Sequence, residues 1–203
     1  LALGAAGALS SCTPQGDPAV GAAGFTDNFN RNELGALWNN TGGPYRLADG
    51  QLRVTGARNK PLWLRRTLPR DVRVEVDVRS DSPEGDIKLE LFGDGASKAT
   101  EDSYTATSYV VILGGWNNRN NVIARMEEHG LGRVEGPVRR VELGRTYHLK
   151  LERAGRTLTV FVDGEKFMKL DDHDPLKGHG HDHFAFNNWQ TELSFDNLRI
   201  TPL

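Results

Sequence analysis

The chain has 203 residues, 37% of them hydrophobic, and a formal charge of -2 from 25 basic and 27 acidic side chains. That is enough apolar material for one domain with a core of its own, which excludes a disordered chain. Basic and acidic residues are interspersed without a cationic block, so the footprint needed for a phosphate backbone is missing and nucleic acid is excluded as a partner.

In chain order the first segment is "LALGAAGALSSC" (1–12), apolar, small and uncharged up to Cys12, the only cysteine. It is too short to span a bilayer, and a lone cysteine forms no internal disulfide. "TPQGDPAVGAAG" (13–24) follows, rich in Pro, Gly and Ala, and reads as a flexible tether. The stretch before it resembles the second half of a bacterial lipoprotein signal, whose hydrophobic region closes on a Leu-Ser-Ser-Cys lipobox; the basic n-region of such signals is missing here. The resemblance implies that residues 1–11 are removed and that Cys12 is lipidated and followed by a tether (12–24). The protein would then be lipid-anchored in the cell envelope, at the outer membrane or cell surface. The alternative is an Ala/Gly tail with an incidental thiol.

From Phe25 to Leu203 short alternating runs recur between turn residues, and no segment sustains a helical period. "YRLADGQLRVTG" (45–56) sets Asp49-Gly50 between two half-polar runs, which predicts a two-residue hairpin turn at positive φ. "DVRVEVDVRS" (71–80) sends Val72, Val74, Val76 and Val78 to one face and Arg73, Glu75, Asp77 and Arg79 to the other. "DIKLELF" repeats this, with Ile87, Leu89 and Leu91 inward and Asp86, Lys88, Glu90 and Phe92 outward. "TSYVVILGG" and "NVIARMEEHG" predict two strands around the loop "GWNNRN", and 144–170 predicts three more with turns at Ala154-Gly155 and Asp163-Gly164. Ten to thirteen strands at this spacing predict an all-β, two-sheet antiparallel sandwich over residues 25–203.

Three segments carry a further resemblance. "YHLKLERAGRTLTVFVDG", the opening "FTDNFNRNELGALWNN" and the closing "HFAFNNWQTELSFDNLRI" together resemble the concanavalin A-like lectin/glucanase superfamily, including laminin-G-like and family 16 glycoside hydrolase-like members. The resemblance implies a jelly roll whose first and last strands are neighbours. It also implies a function among lectins, adhesion modules and glycosidases, which the fold alone does not separate.

The chemistry-bearing residues narrow this. The family 16 strand motif needs a nucleophile and an acid/base on one face. "EVDVRS" supplies Glu75 and Asp77 but sets Arg79 and Ser80 where the proton donor belongs, so these read as solvated strand charges. Asp86 and Glu90 flank Lys88, an arrangement expected to form an ion-pair ladder. No catalytic residue is assigned. His179, His181 and His183 stand at i, i+2, i+4, a spacing that could hold zinc on an extended chain; Gly178 and Gly180 favour a polar turn instead. The resemblance implies a calcium site of hard oxygen ligands from Asp27 and Asp196, although Asp196 in Phe-Asp-Asn-Leu could equally fasten the adjacent turn. Trp116, Asn117 and Asn118 in "GGWNNRNN", with Trp189 in "FNNW", suit carbohydrate: an indole face stacks on a sugar ring and amides both donate and accept. Glu90, Arg125, Glu127 and His181 are expected beside them on the same face, whereas Trp38 and Trp63 are expected in the core. The reading is a surface lipoprotein that binds a carbohydrate or glycoconjugate. The alternatives are a glycoside hydrolase using Glu90 and Glu127, or an adhesive envelope protein that forms an oligomer.

Overall fold

Alternating side chains can hide only one face of each strand, so two layers must close on each other. The computed structural model, which describes residues 16–100 and 104–203, shows this arrangement. Its strands are β1 (Phe25–Asp27), β2 (Trp38–Asn40), β3 (Arg46–Ala48), β4 (Gln51–Thr55), β5 (Leu62–Leu64), β6 (Val72–Ser80), β7 (Ile87–Gly93) and β8 (Tyr109–Gly114). They continue as β9 (Asn120–Arg125), β10 (Val134–Glu135), β11 (Thr146–Ala154), β12 (Thr157–Val162), β13 (Glu165–Asp171), β14 (His183–Asn187) and β15 (Glu192–Pro202). The first sheet runs β13-β12-β11-β6-β15-β4-β3, with β1 also paired to β15; the second runs β10-β9-β8-β7-β14-β5-β2. All pairings between these strands are antiparallel. The first and last strands are neighbours, as the resemblance implies.

The valines of β6 lie in the core at no more than 1% exposure, while Arg73, Glu75, Asp77 and Arg79 stay accessible on the outer face. Burying each such valine is worth about 1.5–3 kcal/mol, and a one-residue slip would forfeit all four. Asp49 and Gly50 turn β3 into β4 at φ 53° and 71°, and Asp163-Gly164 does the same between β12 and β13 at 53° and 84°. Phe186 is the aromatic hub, with Phe195 at 4.5 Å, Phe184 at 5.0 Å, Trp38 at 5.4 Å and Phe29 at 6.0 Å between ring centroids.

The two sheets differ on their outer sides. In β7 and β8 every residue is buried, so both faces of the second sheet are covered there. The described parts of the β7–β8 connection, 94–100 and 104–108, supply the cover. Ala99, Tyr104 and Ala106 pack on Val110, Ile112, Val122 and Ala124 as a second small apolar layer.

Two inward-outward expectations change as a result. Phe92 turns inward with Leu91, because its left-handed φ of 61° and the register shift opposite His183 and Phe184 form a bulge. Trp63 is fully buried, but on the outer face beneath the 94–100 segment, where its indole donates to the Ser97 carbonyl at 2.9 Å. Trp38 lies in the core as expected.

The tether expected over 12–24 is docked from Asp17 onward. Val20 is buried, its amide donates to the Thr67 carbonyl at 2.9 Å, and Asp17 faces Arg65 and His183. The signal remnant and Cys12 lie outside the described residues.

Candidate functional site

The cleft sits on the outer face of the second sheet, beside the cover formed by 94–100 and 104–108. Five connections build its rim. The β8–β9 turn brings Trp116 and Asn117, the 126–133 loop brings Glu128 and His129, and the turn after β14 brings Trp189, Gln190 and Thr191. The entry to β7 supplies Ser82, Glu84, Asp86 and Lys88, and the β4–β5 connection supplies Asn59. The enclosed volume is about 650 Å³, within the range of small-ligand sites.

The β8–β9 turn is strained. Trp116, Asn117 and Asn118 all take left-handed backbone angles, with φ of 52°, 60° and 61°. Asparagine tolerates this region; for tryptophan it costs about 1–2 kcal/mol. Asn118 holds the turn: its side-chain amide donates to the Val141 carbonyl at 2.7 Å and the Pro83 carbonyl at 3.0 Å, while its oxygen accepts the Val141 amide at 2.7 Å. Gly85 lets the two turns meet, since a Cβ there would stand 2.9 Å from that oxygen. Asn118 is therefore an anchor, and Trp116 and Asn117 are what it presents. The Arg133 guanidinium lies 4.7 Å from the Trp116 ring centroid, and His129 meets the same ring edge-on at 5.6 Å.

Beneath the rim runs a polar chain. Lys88 donates to Glu128 at 2.8 Å and to the Asn59 oxygen at 2.9 Å. Asn187 donates to that same oxygen at 3.4 Å and to Glu90 at 2.6 Å, and Glu90 also accepts from Ser108 and Tyr104. Burial alone would lower the Lys88 pKa; Asp86 and Glu128 outweigh it and hold the pKa above the ordinary lysine value. Burial raises Asp86, against the pull of Lys88. Burial pushes Glu90 up to about 7, although Ser108, Tyr104, Asn187 and Lys88 all favour its charged form.

A raised carboxyl pKa means that the folded state holds its proton longer than the unfolded chain. The contribution of Glu90 to stability is thus fully present below pH 4.5 and lost as pH rises through about 7, up to about 3 kcal/mol. Chemical denaturation of Glu90→Gln between pH 5 and pH 8 is expected to show a flatter stability profile than the wild type. An unchanged profile would contradict the assignment.

Of the residues singled out from sequence, Trp116, Asn117 and Trp189 meet at the cleft and Asn118 supports it. The others do not reach it. Glu90 is on the expected face but has no exposed surface, sealed under Tyr104 and Ser108. Arg125 turns to the end of the sandwich, where it pairs with Asp172 at 3.1 Å. Glu127 is exposed outside the cleft lining. His181 is held by the Thr107 carbonyl at 2.7 Å, while the His183 Nδ1 lies 2.7 Å from the Asp182 carboxylate without forming a hydrogen bond to it. His179 is exposed, and among the described residues the three histidines are not brought together as a group.

The expected calcium ligands do not fit the ion. Both oxygens of Asp27 are taken, by Arg31, the Phe29 amide at 2.9 Å and the Trp38 indole at 3.0 Å. Burial would raise the Asp27 pKa, and these donors together hold it below the usual range. Asp196 instead lies across from Asp77 on the outer side of β15 and accepts the Asn197 amide at 2.7 Å. Among the described residues no group of three or more His, Cys, Asp or Glu side chains is placed to hold a metal. Asp77 and Glu75 flank His148 at 2.8 and 3.6 Å on the outer face of the first sheet.

The sequence pattern did not point to Asn59, Glu128, His129 or Gln190 as site residues. Lys88 was legible as a charge on the outer face of a strand, but its partner is Glu128 from a loop, not a residue of a neighbouring strand.

No protein-family model matches the chain. Among curated proteins, an extracellular exo-α-L-arabinofuranosidase of Streptomyces chartreusis is 25% identical over 160 residues, 78% of this chain and 18% of that enzyme. The chain therefore spans less than a fifth of that curated relative. A β-1,3-1,4-glucanase (lichenase) from a mouse hindgut metagenome superposes with a TM-score of 0.64 at 12% identity, over 89% of this chain and 99% of its own. The carbohydrate-binding module CBM66 of Bacillus subtilis does so at 0.61 and 15% identity, over 81% and 95%. The exoplasmic/lumenal domain of VIP36, in its Ca2+/Man3GlcNAc-bound form, gives 0.63 at 11%, over 88% of each chain. By strand order, layering and these superpositions, the chain has the concanavalin A-like jelly-roll fold.

Proposed function

We propose that this jelly roll is a carbohydrate-binding domain whose ligand lies in the Trp116–Trp189 cleft. The observation that carries the proposal is the convergence of two half-buried indoles with Asn117, Gln190, Asp86 and Glu128 around about 650 Å³. Indole faces cover the apolar side of a sugar ring while carboxylates and amides take its hydroxyls. The left-handed backbone at Trp116 supports the same reading, because strain of this kind collects where a side chain must be held in place for a ligand. Similarity to a carbohydrate-binding module, to an exoplasmic/lumenal domain seen with Man3GlcNAc and to part of an arabinofuranosidase adds to it. An 18% share of that enzyme suits an accessory domain.

A second reading, glycoside hydrolysis, has one observation in its favour: Asp86 and Glu128 line the same cleft. Glu128 is tied to Lys88, which weakens it as a proton carrier. The lipobox-like Leu-Ser-Ser-Cys supports, as part of the same proposal, a lipid anchor at Cys12 in the cell envelope. Labelled palmitate incorporated by the wild type and by Cys12→Ala alike would remove that anchor.

A glycan array probed with the full chain, followed by a reducing-end assay on each retained glycan, tests the functional reading. Retention without release is the expected result. Release that depends on Asp86 would replace binding with hydrolysis, and no retention at all would overturn both.

A further inference from the structure

We infer, resting on the carbohydrate reading of the same cleft, that it selects uncharged sugars and rejects those bearing a carboxylate or sulfate. The lining carries the carboxyl groups of Glu84, Asp86 and Glu128 against one lysine. Lys88 is not free to answer a ligand anion. Its side chain is 3% exposed, and it donates to Glu128 at 2.8 Å and Asn59 at 2.9 Å.

The cation stacked on Trp116 is committed as well. Arg133, stacked on Trp116, donates to Glu135 at 2.9 and 3.3 Å and to the Glu128 carbonyl at 3.0 Å. His129 on the rim has its Nε2 3.6 Å from Glu128. What remains for a ligand is a set of acceptors with the amides of Asn117 and Gln190 and the hydroxyls of Ser82 and Thr191. Hydroxyls donated to such carboxylates form charge-assisted bonds. A ligand anion in the same place meets uncompensated negative charge in a site only partly screened by water. Discrimination by repulsion of this kind needs no added contact to the favoured ligand.

The test compares, at pH 8 and low salt, matched pairs on the array: galactose-terminated against galacturonate-terminated oligosaccharides, and lactose against sialyllactose and sulfated lactose. Titration calorimetry of the full chain then measures each retained pair. Each acidic member is expected to bind at least about tenfold more weakly than its neutral partner, a gap of about 1.4 kcal/mol. The ratio should shrink in 0.5 M salt and in Glu84→Gln, a substitution at an exposed turn position.

Acidic glycans bound as tightly as neutral ones would overturn the inference and leave the carbohydrate reading standing. A ratio that ignores both salt and Glu84→Gln would overturn charge as its cause. No retention of either member would remove the carbohydrate reading and the inference together.

Discussion

Lys88→Ala is expected to destabilise the fold by about 3–5 kcal/mol, the cost of leaving a buried charge without its partner. Lys88 is at the centre of the polar chain on the covered face of the second sheet, and the Glu128 side chain that it holds is 10% exposed. Removing the ammonium strands that carboxylate, leaves the Asn59 oxygen to Asn187 alone, and takes away the charge that steadies Asp86. For a chain of this length such a loss lowers the melting temperature by about 6–20 °C. Lys88→Met should do nearly as badly although it restores volume, because the unpaired carboxylate remains. Lys88→Met combined with Glu128→Gln should recover most of the loss, since the charge left behind is then gone. Guanidinium denaturation of the three variants measures this. A loss under 1 kcal/mol for Lys88→Ala would mean that solvent reaches the pair.

Trp116→Ala is expected to weaken glycan binding by about thirtyfold or more while leaving the fold intact. Truncating a large aromatic at the centre of a site typically costs 2 kcal/mol or more of binding. The side chain contributes little to stability by comparison. It is half-buried, and it loses the Arg133 stack, worth about 0.5–1 kcal/mol at a partly exposed position, together with the His129 edge contact and partial packing on the small outer apolar layer. Alanine also inherits the left-handed backbone, which Asn118 continues to hold. Calorimetry with the best-retained glycan, beside a thermal melt, separates the two effects. Binding within twofold of the wild type would move the ligand away from the cleft.

The layers were legible in the sequence because alternation is a local property. Val72 to Val78, the Asp49-Gly50 hairpin and the pairing of β1 with β15 are where pattern and resemblance put them. Depth was not legible. Alternation gave Glu90 its side of the sheet, but Tyr104 reaches it from a connection fourteen residues away and shuts it in. Phe92 escaped the pattern because one left-handed residue shifts everything after it by half a period. Arg125 keeps the inward parity of its partner Tyr109 and so leaves the outer face. The cleft was half legible: a tryptophan between glycines and asparagines marked the loop, while Asn59 and Glu128 arrive there through tertiary structure alone.

The four indole N–H groups of the full chain offer the most direct measurement of where the ligand binds. Trp38 donates to Asp27 at 3.0 Å and Trp63 to the Ser97 carbonyl at 2.9 Å, both in buried surroundings, whereas Trp116 and Trp189 line the cleft. Titrating a retained glycan into 15N-labelled protein should shift the Trp116 and Trp189 indole resonances in a saturable way and leave those of Trp38 and Trp63 in place. Saturable binding with the Trp116 and Trp189 signals unmoved would contradict the account.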